Sequence, residues 1–287
     1  MKKNAVIDVG SNSVRLMFVA DGKVLYKALC TTRLGEGIVQ RPVLKAEAIT
    51  RTAEAVKNFY VQAQADGAQA VYAFATAAVR TAENGNAFVQ AVQDLCGLHV
   101  AVIDGKTEAE IGVLGALGDE DGAIIDVGGA STEIAVRKND ELIYKKSVDV
   151  GVVRLKDACN RDFEKLNAYC LQQVKLFKDV PSIHTAYAIG GTATTVGAQI
   201  LGLTEYNSNA VTGTKVTLER LQMLADKLAG LTVEETKLLP CMPAGRADVL
   251  LGGVVWLLWV MKTLNVGEII ISDRDNLEGY AIKKGLL

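Results

Sequence analysis

Two short segments of this 287-residue chain combine a carboxylate, a glycine turn and small polar residues in the same order. The first is Asp8-Val-Gly-Ser-Asn-Ser13; the second is Asp126-Val-Gly-Gly-Ala-Ser131, followed directly by Thr132 and Glu133. A glycine turn leaving a strand exposes consecutive backbone N–H groups, and that concavity binds anions. Glycine also permits the close backbone approach that a phosphate requires. Gly10, Ser11, Asn12 and Ser13, and opposite them Gly128, Gly129, Ala130, Ser131 and Thr132, are therefore candidate phosphate contacts. Neither segment has the GxxxxGK[ST] or GxGxxG spacing, which disfavours a P-loop or a dinucleotide-binding site. Asp8 and Asp126 fall late in apolar runs, where a carboxylate is expensive unless it meets a cation or a hydrogen bond. With Glu133, they offer hard oxygen ligands for Mg2+ or another divalent cation, which takes one or two protein carboxylates and keeps several waters. For Asp8 the alternative is a hydrogen bond to loop amides.

Such loops need strands that end at them. Ala5–Val9, Val14–Ala20 and Gly22–Ala28 read as three successive strands, followed by a helix over Leu44–Ala65 with Ile49, Ala53, Val56 and Tyr60 at helical spacing. Strands Val71–Ala75 and His99–Asp104 flank a helix at Ala87–Cys96, and a helix over Thr107–Leu117 closes this half. The opening pattern then repeats: Ala5–Ser13 and Ala123–Ser131 align over nine positions without a gap, six of them identical. Strands at Ala123–Val127, Glu133–Arg137 and Glu141–Val150 follow, then helix Asp162–Leu176, strand Ala186–Ile189, a Gly190–Gly191 turn and helix Thr192–Ile200. Further helices start at Thr217 and at Thr232, the latter with a Thr232/Glu235 capping box. Helix Arg246–Met261, strand Glu268–Ile271 and a helix from Asn276 end the chain. Alternating strands and helices with an internal repeat predict an α/β protein of two duplicated lobes, residues 1–118 and 119–275, with a cleft between them.

Composition narrows the function classes. Hydrophobic residues make up 49% and charged residues 22%, values of an ordinary soluble globular protein. The longest apolar run, Val249–Met261, is short of the roughly 20 residues of a membrane span, and the N-terminus lacks a signal-peptide pattern. Five scattered cysteines without CxxC spacing fit reduced thiols and a cytoplasmic location. A net charge of −2 provides no global field for nucleic acid. His99 and His184, the two histidines, sit in apolar contexts that disfavour histidine chemistry.

Ala5–Leu16 resembles the first phosphate loop of the exopolyphosphatase/guanosine pentaphosphate phosphohydrolase family. Similar segments follow in the family's order: Arg33-Leu-Gly-Glu-Gly37, Thr76-Ala-Ala-Val-Arg80, Asp104-Gly-Lys-Thr-Glu-Ala109, Asp126–Glu133, Gly151-Val-Val-Arg-Leu155, Gly190-Gly-Thr192 and Arg246-Ala-Asp248. The resemblance implies two ribonuclease-H-like lobes of the actin/sugar-kinase superfold, with the helix of residues 276–287 packed back on the first lobe. It implies Mg2+-assisted release of terminal phosphate from inorganic polyphosphate or guanosine pentaphosphate. Glu108 matches the family's catalytic glutamate, which orients or deprotonates the attacking water; taken alone it reads as a first-turn helix acid. Arg80 matches an arginine that contacts the substrate phosphate, with a surface salt bridge as its alternative. Glu133 joins these two as a catalytic candidate. Arg15 and Arg33 are further phosphate-contact candidates, Arg15 alternatively projecting to solvent, and Gly190, Gly191 and Thr192 are matched as substrate contacts.

The chain departs from the family pattern in four ways. Ala130 replaces a third glycine, which would strain the loop if φ there were positive. Lys106-Thr107 stand where paired acids are common, and Asp275 and Leu277 where glycine and arginine are common. The chain also reads as a short form without the extra helical C-terminal domain of long members. Two rivals remain at this level: an ATP-dependent kinase using Gly190–Thr192 as a wall of an adenosine pocket, and a polyphosphate or alarmone sensor with little turnover. No nucleic-acid or membrane partner is expected, and a homodimer is left open.

Overall fold

The computed structural model describes residues 2–287. In the first half, strands β1 (Lys3–Val9), β2 (Ser13–Ala20) and β3 (Lys23–Thr31) precede helix α1 (Ala46–Ala65). Strand β4 (Ala70–Ala75), helices α2 (Ala77–Thr81) and α3 (Gly85–Cys96), strand β5 (Val100–Val102) and helix α4 (Gly105–Leu117) follow. The second half runs β6 (Gly122–Val127), β7 (Thr132–Lys138), β8 (Glu141–Val148), α5 (Val152–Cys159), α6 (Phe163–Gln173), β9 (Ala186–Ile189), α7 (Gly190–Leu201), α8 (Ser208–Val211) and β10 (Lys215–Thr217). Helices α9 (Leu218–Ala229), α10 (Val233–Lys237) and α11 (Leu250–Thr263), strand β11 (Glu268–Ile271) and helix α12 (Asn276–Lys283) complete it.

Both halves build the same sheet. The first has strand order β3-β2-β1-β4-β5 and the second β8-β7-β6-β9-β11, extended at its edge by β10. In each, a three-strand antiparallel meander meets parallel strands reached through helices, the ribonuclease-H-like arrangement that the family resemblance implies. β1 and β6 are central and buried almost throughout, so they read as continuous apolar runs. β3 is an edge strand exposed along most of its length. Helix α11, the longest apolar run, is buried at eleven of its fourteen positions and forms the centre of the second core around Trp256. No described helix is long and apolar enough to cross a membrane.

Two helices cross between the sheets and fix the cleft. α12 packs Leu277, Tyr280 and Ala281 onto Val6, Met17, Val19 and Phe74 of the first sheet, with the Phe74 and Tyr280 rings stacked at 4.6 Å. α4, which the expected boundary at 118 leaves in the first lobe, touches both sheets: Ile111 packs with Val6 and Phe74 of the first, and Ala109, Val113 and Leu117 with Ile124, Ala135 and Ile189 of the second. The two helices touch backbone to backbone: a Cβ on Gly279 would lie 1.6 Å from the Ile111 carbonyl oxygen. Only glycine lets them approach so closely.

Three local readings change. Gly190 and Gly191 do not form a free turn but open α7, Gly190 with φ of +77°. Ala130 is absent from the positive-φ residues, so the missing third glycine leaves no strain there. Short helices α2 and α5 carry too few residues to show a hydrophobic period, and their positions at loop exits are visible only in three dimensions.

Candidate active site

The two matched loops are built alike and meet face to face. In each, the first glycine N–H donates back across the turn, Gly10 to the Ser13 carbonyl and Gly128 to the Ser131 carbonyl, both at 3.0 Å. A Cβ on Gly129 would fall 2.8 Å from the Ser11 Cβ and 3.0 Å from the Asn12 nitrogen, so this glycine lets one loop rest on the other. Between them is a cavity of about 80 Å³ lined by Gly10–Ser13, Gly128–Ser131, Gly190–Thr192, Asp8, Arg15, Thr76, Glu108, Asp126, Arg246 and Asn276. Most of the residues the sequence singled out are therefore brought together.

Strand register decides what faces each aspartate. Asp8 lies opposite Arg15 across β1–β2, while Asp126 lies opposite Glu133 across β6–β7. The same position of the repeat thus carries a base in one lobe and an acid in the other. Arg15 does not project to solvent. Its Nε donates to Asp8 Oδ2 at 3.1 Å, and its guanidinium also pairs with Asp275, the residue capping α12. Glu133 accepts a 2.6 Å bond from the Ser147 hydroxyl and is 1% exposed.

Glu108 is positioned by a helix start. Asp104 caps α4 by accepting from the Thr107 N–H at 2.7 Å, which sets Glu108 in the first turn. Arg80, at the end of α2, donates to Glu108 Oε2 and to the Ile103 carbonyl, each at 2.9 Å. The two residues supplied by the family resemblance are thus bonded partners, with Glu108 on the cavity wall and Arg80 not itself among the lining residues. Burial, with a contribution from the Asp8 charge, raises Glu108 to about 7 against the pull of Arg80. Asp126 is pushed up to about 8 by burial and by the charges of Asp275 and Glu108. Burial, Glu108 and Asp126 likewise raise Glu133. Asp8, Glu108 and Asp126 line the cavity, Glu133 is buried opposite Asp126 without being among the lining residues, and carboxyls this close disfavour one another's ionisation.

Besides Arg80, two further expected phosphate contacts lie elsewhere. The Thr132 hydroxyl faces the core, donating to the Val150 carbonyl at 2.6 Å and accepting from Trp256 Nε1 at 2.8 Å. Arg33 pairs with Asp248 at 2.9 Å and is not among the residues lining the cavity. Conversely, Arg246 lines the cavity although sequence reasoning gave it no role beyond its segment. It is 9% exposed, forms no ion pair among the described residues, and lies against Gly191, where any side chain would collide with its guanidinium. Burial, then Arg15, lowers it to about 10, so it stays charged at neutral pH. Asn276 donates to Asp126 Oδ2 at 2.9 Å; no short-range sequence signal links residues 150 apart.

The donor set fits a divalent cation. Asp8 Oδ1 and Glu133 Oε2 are buried without a hydrogen-bond partner, unusual for native carboxylates. Among the described residues no three His, Cys, Asp or Glu side chains form an all-protein cage, which excludes none of the one- or two-carboxylate arrangements that Mg2+ favours.

The sequence profile of the Ppx/GppA phosphatase family matches residues 5–286. The chain belongs to this family. Among its relatives is exopolyphosphatase 2 of Mycobacterium tuberculosis, 28% identical with 97% of each chain covered. A guanosine-5′-triphosphate,3′-diphosphate pyrophosphatase of Pseudoalteromonas translucida is 26% identical over 99% of this chain, which spans 58% of that relative's length. The crystal structure of an Aquifex aeolicus Ppx/GppA member is similar with a TM-score of 0.80 and 25% identity, covering 99% of this chain and 98% of that one. An exopolyphosphatase structure from Cytophaga hutchinsonii shares the fold with a TM-score of 0.88 over 100% of this chain and 99% of that one, at 23% identity.

Proposed function

We propose that this chain is a cytoplasmic phosphohydrolase that releases the terminal phosphate of inorganic polyphosphate or guanosine pentaphosphate by attack of water. The observation that carries the reading is Glu108, a buried carboxyl raised to about 7 and held by Arg80 on the wall of a cavity bounded by two amide loops. A group with that pKa is matched to taking a proton from water near neutral pH. The loops at Gly10 and Gly128 grip the phosphate oxygens, and Arg246, with no acid paired to it among the described residues, draws in their charge. A cation at Asp126 and Glu133, with Asp8 nearby, would supply further neutralisation of the phosphate. In an in-line displacement the water comes from one side of phosphorus and the leaving group departs on the other.

Next to the cleft is a second cavity of about 450 Å³, sharing Arg15, Gly190, Gly191 and Arg246 with it and walled by Leu29, Tyr206, Met242 and Asp275. Its size lies in the range of small-molecule sites, which keeps the guanosine nucleotide beside inorganic polyphosphate as a substrate. The test is phosphate release from tripolyphosphate, long-chain polyphosphate and guanosine pentaphosphate with Mg2+ and no acceptor. Arg246→Met should raise KM at least about tenfold, the loss of a charge-assisted contact. Absence of release from all three substrates would sink the reading, and transfer only in the presence of an acceptor would favour a kinase.

A further inference from the structure

Residues 273–278, the loop after β11 and the first turn of α12, tie the acids of both lobes to one helix start. Asn276 donates to Asp126 of the second lobe. Asp275, 2% exposed, bonds Arg15, which in turn bonds Asp8 of the first lobe. Asp275 Oδ1 accepts from the Leu277 N–H at 3.0 Å, and Glu278 closes the capping box by accepting from the Asp275 N–H, also at 3.0 Å. Lys27 on β3 holds Glu278 at 2.7 Å and the Asp273 carbonyl at 2.6 Å. The Asp275 backbone is wedged against Gly115 of α4, where a Cβ would lie 1.9 Å from its carbonyl oxygen. Asp275 is thus fixed by the cap, by the Glu278–Lys27 pair and by the helix crossing, and Arg15 must come to it.

The consequence is electrostatic. Arg15 alone with Asp8 would be a neutral pair with the far edge of the guanidinium turned to the cleft. A second carboxylate on that edge makes the trio negative and engages N–H groups that would otherwise meet a phosphate. Arg15 then differs from Arg246, which has no carboxylate partner among the described residues. We propose that Asp275 is a positioning residue that withholds Arg15 from the substrate phosphate, leaving Arg246 as the cleft's unpaired guanidinium and weakening the grip on inorganic phosphate groups. This inference rests on the proposed hydrolysis for its meaning but not for its test.

The experiment is calorimetric titration of the full chain with inorganic phosphate, with and without Mg2+, at low salt. Asp275→Asn keeps a good helix cap and removes one charge about one contact from the guanidinium. It should bind phosphate at least about fivefold more tightly, the effect of a unit charge at contact distance even in water. It should also lower KM for tripolyphosphate without raising kcat. Asp275→Gly, which opens the guanidinium edge fully, should show the same gain. Asp273→Asn removes a neighbouring charge that bonds Lys27 rather than Arg15, and should change affinity less than about twofold. Unchanged phosphate affinity in both Asp275 variants overturns the proposal. An equal gain in Asp273→Asn does so too, because the effect would then be a general field and not the release of Arg15. Failure of the wild-type chain to hydrolyse any phosphoanhydride would remove the hydrolase reading while leaving these titrations to decide the Arg15 restraint.

Discussion

Replacing Glu108 by Gln should make the protein more stable above neutral pH while removing its hydrolysis. The carboxyl is 6% exposed, and burial first, with Asp8 adding to it, lifts its pKa from 4.5 to about 7 although Arg80 pulls the other way. A raised pKa means that the folded chain holds the proton more tightly than the unfolded chain. That stability is complete below the unfolded value and is lost as pH rises through about 7. The whole linkage is about 3 kcal/mol. Glutamine mimics the protonated form and has no proton to lose, so its contribution does not fade. At pH 5 the two proteins should unfold within about 1 kcal/mol of each other, as ordinary substitutions do. At pH 8 the variant should lead by about 2–3 kcal/mol, roughly 4–10 °C in Tm for a chain of this size. Mg2+ should narrow the gap, because a cation in the cleft favours the ionised carboxylate. Urea unfolding at the two pH values measures the difference, and phosphate release should fall by about 10²–10⁴ in parallel. If Glu108→Gln is instead the weaker protein at pH 8 by the 3–5 kcal/mol typical of breaking a buried ion pair, Glu108 is an ionised, satisfied partner of Arg80 and the reasoning fails.

Arg80→Gln removes the group that holds the Glu108 carboxyl down, so the acidic limb of kcat/KM should move above pH 7. Turnover should drop by roughly 10³ or more if Arg80 also meets transition-state charge; a pH–rate profile reads both. Thr132→Val loses the bonds to the Val150 carbonyl and Trp256 Nε1 and should cost about 1–3 kcal/mol with KM unchanged. A tenfold rise in KM would return Thr132 to the substrate contacts.

The duplication was legible in the sequence because it is written in contiguous residues. A strand that ends in Asp-Val-Gly carries its own register, its own glycine turn and its own anion-binding amides, so Ala5–Ser13 and Ala123–Ser131 revealed two lobes and two loops. Glu108 and Arg80 were legible only through family likeness, since a first-turn helix acid and a helix-end arginine have no local signature of chemistry. What the sequence hid is long-range. Asn276 reaches Asp126, Asp275 reaches Arg15, and Arg246 stacks on Gly191; each contact joins elements brought together by the crossing of α4 and α12 or by the packing of α11. Thr132 misled for the opposite reason: its neighbours face the cleft, but strand alternation turns its own hydroxyl toward Trp256.

The repeat also shows how two similar halves come to do different work. With Arg15 opposite it, Asp8 is raised by burial but restrained by a fixed cation. With Glu133 opposite it, Asp126 gains a second acid and no fixed base, only the amide of Asn276. One exchange of sign at a single register position therefore gives Asp8 a fixed counter-charge across the strand pair and leaves the second lobe short of positive charge. A phosphate alone cannot correct that shortage, because it adds negative charge to the same cleft. On the proposed reading a divalent cation at Asp126 and Glu133 would offset both, with Arg246 as the fixed positive charge beside it, so the lobe at Gly128 is where metal and substrate would meet.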